Sequence, residues 1–102
     1  MYLNLINEFW KMFLNPEQLN QVEEMAYRCF APFLIAINLE LDEVEFIGQI
    51  FIEGTNIRKA YFKGLIRQQM ELREALIKAA HNGSNPAQEQ LMKIMEQLKG
   101  FI

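Results

Sequence analysis

The chain has 102 residues, of which 51% are hydrophobic, with a net charge of -3 and one cysteine. That length supplies one domain-sized core, and a lone cysteine excludes an internal disulfide, which argues against a secreted disulfide scaffold and for a reducing, cytoplasmic compartment. Eight Phe and six Met are a generous apolar supply for so small a domain, so part of it is expected to meet another subunit.

Met1 to Leu14 is apolar but interrupted by Asn4, Asn7, Glu8 and Lys11. It is too short to span a bilayer and lacks a basic start and a cleavage site, so neither a signal peptide nor a membrane segment is expected. Leu3, Ile6, Trp10 and Phe13, with Phe9 beside them, recur at helical spacing and predict an amphipathic helix over 3–14. Asn15-Pro16-Glu17-Gln18 and Asn85-Pro86-Ala87-Gln88 repeat one pattern: an Asn cap, Pro at the first helical position, and Gln three residues after the cap. They open helices over 16–29 and 86–99.

Pro32 and the spacing of Ile35, Leu39 and Phe46 favour helices over 32–39 and 42–52 rather than a buried strand. Between them the chain outlines a helix-turn-helix at about 33–52. Ala36 stands where two helices approach, Leu39 and Leu41 plug the corner, and Asp42 caps the second helix while Glu45 reaches back. That second helix carries Asp42, Glu43 and Glu45 and no basic residue before Arg58.

Gly54-Thr55 opens a helix over 56–81, which His81-Asn82-Gly83-Ser84 closes. Its wheel gathers Tyr61, Phe62, Leu65, Leu72, Leu76, Ala79 and Ala80 on one side and Lys59, Lys63, Arg67, Glu71, Glu74 and Lys78 on the other. The last helix adds Leu91, Ile94, Met95, Leu98 and Phe101. The two make a hairpin suited to subunit contact, with Tyr61, Leu65, Leu72, Leu76, Leu91, Ile94, Met95 and Leu98 as candidate oligomerisation residues. The expected fold is a single all-α domain: an acidic helical part at 1–54 containing the helix-turn-helix, followed by a long, basic helical hairpin at 55–102.

Charge divides the same way. Up to Gly54 two basic residues stand against nine acidic ones, net -7; from Thr55 eight basic face four acidic, net +4. Such asymmetry gives the halves different partners, or each other.

Catalysis finds little material in one Ser, one Thr, one His and one Cys. Cys29 and His81 make a poor nucleophilic dyad, because Cys29 reads as a buried small hydrophobe and His81 as a helix end. Glu40, Asp42, Glu43 and Glu45 match no cation-binding loop with a turn glycine. No enzyme, metal or cofactor is expected. Arg58, Lys59, Lys63 and Arg67 form a basic ridge that fits phosphates, and Asn38 joins them as a candidate DNA contact.

The succession Ile35-Ala36, Leu39, Leu41-Asp42-Glu43, Glu45-Phe46, then Ile57 to Gly64 with its Ala60-Tyr61-x-x-Gly64, then Leu72-Arg73-Glu74-Ala75 and Ala79 to Ala87, resembles small terminase subunits of tailed bacteriophages and prophages. The likeness covers residues 33–96, and Glu40 stands where glycine is usual. The resemblance implies a non-enzymatic component of the DNA-packaging machinery in a bacterial host cell. It would recognise double-stranded viral DNA, assemble as a ring of identical subunits and work with a large terminase subunit. Asp42 to Phe51 then corresponds to the recognition helix, and Arg58, Lys59, Lys63 and Arg67 to backbone contacts. The alternative is an all-helical oligomeric structural or adaptor protein that binds another protein rather than DNA.

Overall fold

In the computed structural model of the protein, residues 12–100 are described. They form five helices: α1 (Pro16–Tyr27), α2 (Pro32–Asn38), α3 (Glu43–Ile50), α4 (Asn56–His81) and α5 (Asn85–Lys99). The described residues contain no strand, in keeping with the expected all-α class. The helix expected over 3–14 lies mostly outside the described residues, and its last three positions, 12–14, are not helical. The chain divides within α4 into two compact units, residues up to Gln68 and residues from Gln69 onward.

In the first unit three helix starts are set by side chains, while α2 begins at Pro32 after Ala31 without a side-chain cap. Asn15 Oδ1 accepts the Gln18 backbone N–H at 2.7 Å while Gln18 Oε1 accepts the Asn15 N–H at 3.0 Å, a reciprocal capping box with Pro16 at the first turn. Asp42 Oδ2 caps α3 by accepting the Glu45 N–H at 3.0 Å. Thr55 Oγ1 joins α3 to α4: it accepts the Arg58 N–H at 3.1 Å and donates to the Gln49 carbonyl at 2.8 Å.

Three helix ends follow one scheme with different residues. After α1, Cys29 N–H bonds the Ala26 carbonyl and Phe30 N–H the Met25 carbonyl; after α2, Glu40 N–H bonds Ile37 and Leu41 N–H bonds Ala36; after α4, Gly83 N–H bonds Ala80 and Ser84 N–H bonds Ala79. Each pair is a Schellman turn, which needs a left-handed residue. Gly83 adopts it freely at φ 95°, but Cys29 at 66° and Glu40 at 57° carry side chains there. Cys29 is consequently exposed, against the expectation of burial, because the turn carries it beyond Ala26, the last core position of α1.

The core of this unit draws Val22 and Ala26 from α1, Ile35 and Ala36 from α2, Phe46 and Ile50 from α3, and Ile57 from α4. Leu39 and Leu41, on either side of the Glu40 bend, pack against it half-buried. α1 and α4 approach closely at Gly64. A methyl group added at Gly64 would overlap the Glu23 carbonyl oxygen and stand 2.8 Å from Ala26 Cβ and 2.9 Å from the Tyr27 nitrogen.

The second unit is thinner. α5 is capped by Ser84, whose hydroxyl accepts the Ala87 N–H at 3.3 Å, so the cap lies one residue before the expected Asn85. Ser84 already ends the Schellman turn of α4, and one residue serves both helices. The Gln88 side chain, expected to support the cap, instead donates to the Ala80 carbonyl at 2.9 Å. Only Ala80 and Ala87 are buried among the described residues of this unit, while Met70, Leu72, Met92, Met95 and Leu98 are more than half exposed.

Two substitutions test this packing through urea unfolding. Gly64→Ala should lower stability by about 1–3 kcal/mol, because overpacking at the crossing outweighs the roughly 1 kcal/mol gained from helix propensity. Glu40→Gly should raise it by about 0.5–1 kcal/mol by relieving the left-handed side chain.

Candidate nucleic-acid interface

The four cations expected to form a ridge on α4 meet different fates. Arg58 turns toward the end of α3: its Nη1 donates to the Ile50 carbonyl at 2.7 Å, and its guanidinium lies 4.8 Å from the centre of the Phe62 ring. It satisfies a terminal helix carbonyl and meets the negative end of the α3 dipole. Arg67 turns toward α1. Its Nη1 donates to Glu23 Oε2 at 2.7 Å and Glu24 Oε1 at 2.8 Å, and its guanidinium covers the Tyr27 ring at 4.5 Å.

This network shifts its members. The Arg67 hydrogen bond, reinforced by Arg28, holds the Glu24 carboxyl below the ordinary glutamate value of 4.5. The same carboxylates, Glu24 first and then Glu23, raise the Arg67 guanidinium still further above its already high value. Arg67 is therefore a fixed strut between α1 and α4.

Lys59 and Lys63 keep their charge toward solvent. They stand one turn apart on α4 and line a groove against α1 together with Asn20, Glu23 and Asn56. The Lys63 side chain is 72% exposed, and its ammonium reaches only to 4.0 Å from Glu23 Oε1. Exposed ion pairs at that separation contribute little and are readily exchanged for another anion. Asn38, at the end of α2, is exposed and donates its amide to Met25 Sδ at 3.3 Å, so it does not join the lysine groove.

The candidate oligomerisation residues also separate. Tyr61 and Leu65 pack half-buried against the core of the first unit. In the second unit Leu76, Leu91 and Ile94 are half-buried, whereas Leu72, Met95 and Leu98 are exposed. Leu72, Leu76 and Ile94 line one apolar cleft of the second unit with Gln69, Arg73 and Gln90.

The Glu23–Arg67 and Glu24–Arg67 pairs were absent from the sequence-based expectations, although a signal for them exists. Gly64 lies three residues before Arg67 and Ala26 three after Glu23; two small residues mark a close helix crossing, and charges one turn away from each must then face one another.

Among the described residues, no group of three or more potential ligands gathers to hold a metal ion, and no helix is long and apolar enough to cross a membrane. His81 is exposed at the end of α4, as expected from its position.

The network predicts an acid-sensitive fold. A carboxyl held below its unfolded value contributes stability that is fully present above that value and lost as pH falls through the lower, folded one. Unfolding midpoints followed downward from pH 4.5 should therefore fall less steeply in Arg67→Gln than in the native chain, because the principal cause of the Glu24 shift is gone. Equal steepness would show that Arg67 does not hold Glu24 in solution. Compared with known proteins, the chain matches no family model, no curated protein and no solved structure.

Proposed function

We propose that the chain is a non-enzymatic, small-terminase-like packaging component that holds double-stranded DNA as an oligomer. The observation that carries this reading is the lysine groove: Lys59 and Lys63 offer exposed ammonium groups beside the amide side chains of Asn20 and Asn56. Ammonium and amide donors suit phosphate oxygens, which fix a protein on a duplex without reading its sequence. The resemblance to small terminase subunits supplies the packaging context and the partnership with a large terminase subunit.

In this reading α2 and α3 form the helix-turn-helix outline, joined by the bend at Leu39 to Asp42. α3 has no cation with which to meet phosphate, so the backbone contacts fall to α4. Two lysines neutralise few phosphates per subunit, and the affinity comes from several copies acting together, a gain of roughly a hundredfold or more. Oligomerisation uses the second unit, whose helical hairpin leaves Leu72, Met92, Met95 and Leu98 exposed and buries two alanines among its described residues. Such a small unit gains stability by covering those side chains with another subunit.

The alternative, a structural or adaptor protein binding another protein, is favoured by one observation: α3 exposes Val44 and Phe51, each 76% accessible. Duplex binding followed by fluorescence anisotropy at two salt concentrations separates the readings. The native protein should bind with strong salt dependence, and Lys59→Glu/Lys63→Glu should weaken binding at least about tenfold and lower the salt slope by about two, one for each lost phosphate contact. Arg67 is left intact in this experiment, since its loss would disturb the α1–α4 contact itself. Absence of salt-sensitive binding by the native protein would overturn the DNA reading and leave the adaptor one.

A further inference from the structure

The first unit carries a second surface that the lysine groove does not use. Phe33 of α2, Ile47 and Ile50 of α3, Phe51 at its C-terminal cap, and Phe62 and Leu65 of α4 line one apolar groove. Exposed apolar residues also stand one turn along the same helices. Ile37, one turn after Phe33, is 54% exposed, and Val44, one turn before Ile47, is 76% exposed. Exposed apolar side chains gathered on neighbouring helices mark a place where another surface docks.

Charge around this groove has one sign on the α2–α3 side. From Cys29 to Ile57 the chain carries Glu40, Asp42, Glu43, Glu45 and Glu53 and not one Lys or Arg. Glu43 lies one turn before Ile47 on α3, and Glu40 and Asp42 are exposed at the bend. Arg58 of α4, beside the lining residue Phe62, has its guanidinium bonded to the Ile50 carbonyl and laid against the Phe62 ring. The groove is therefore an apolar slot built on a segment whose only charges are carboxylates, with Glu43 one turn from its lining residue Ile47. DNA is excluded as its occupant by charge, and an acidic protein segment by the same repulsion.

We infer that the α2–α3 face docks a cationic amphipathic helix of a partner protein, its apolar stripe entering the groove and its Lys or Arg residues meeting Glu40, Asp42 and Glu43. An apolar stripe laid in a hydrophobic groove gives affinity, and opposite charge along the border sets which helix is accepted. A second copy of this chain is a weaker match, since the described part of its own helical hairpin from Gln69 to Gly100 carries four basic and four acidic residues and is neutral. This surface is independent of the lysine groove, and its occupant does not depend on DNA binding.

The test uses the full chain and two labelled 18-residue helical peptides with the same leucine stripe, one bearing lysine and the other glutamate on the remaining face. The lysine peptide should bind at least tenfold more tightly than the glutamate peptide. Val44→Lys and Phe51→Lys, both at highly exposed positions, should each weaken that binding at least tenfold with unchanged helical content. Lys59→Glu/Lys63→Glu should leave it intact. Equal binding of the two peptides, or indifference to Val44→Lys and Phe51→Lys, would overturn the inference. So would a native protein whose sedimentation shows self-association abolished by Phe51→Lys, which would assign the groove to a second copy.

Discussion

The close approach of α1 and α4 at Gly64 governs the rest of the first unit. With no side chain on Gly64 and only a methyl on Ala26, two helix backbones come near enough for Glu23 and Glu24 to grip Arg67 across the crossing. The same approach brings Val22 and Ala26 onto the core made by Ile35, Ala36, Phe46, Ile50 and Ile57. The corner between α2 and α3 is thus held from behind by a helix pair distant in sequence. A glycine inside a long helix costs about 1 kcal/mol against alanine, and its presence here is explained by the volume it leaves to α1.

That crossing also decides which charges are available for function. A helical wheel treats the basic side of α4 as one surface, but the structure divides it: Arg67 faces the α1 carboxylates and Arg58 bends back onto the end of α3. Lys59 and Lys63 are left toward solvent. The acidic first part of the chain and its basic later part accordingly meet within one subunit at Glu23, Glu24 and Arg67. Among the described residues no cation pairs with Glu40, Asp42 or Glu43, and Glu43 stands one turn before Ile47, which lines an exposed apolar groove.

Much of the fold was legible because its punctuation is local. Asn15 with Gln18, Asp42, Thr55 and Gly83 act on backbone groups within a few residues, and the boundaries of the five described helices fall within two positions of those expected, whereas residues 12–14, expected to be helical, are not. The α5 cap was displaced to Ser84 because the preceding turn shares that residue, which a pattern centred on Asn85-Pro86 does not reveal. Cys29 looked like a core residue by type, yet a left-handed turn put it outside. The candidate site was less legible, since whether an arginine is a strut or a phosphate contact depends on what crosses it, and Glu23 and Arg67 are 44 residues apart.

The most direct test of this account is hydrogen exchange on Gly64→Ala, read at the backbone amides of α3. If the α1–α4 crossing holds the corner from behind, residues 43–50 lose protection together with residues 16–27, although Gly64 lies outside α3. Native-level protection across α3 alongside a loosened α1 would show that the corner stands by itself, and the crossing would lose its organising role.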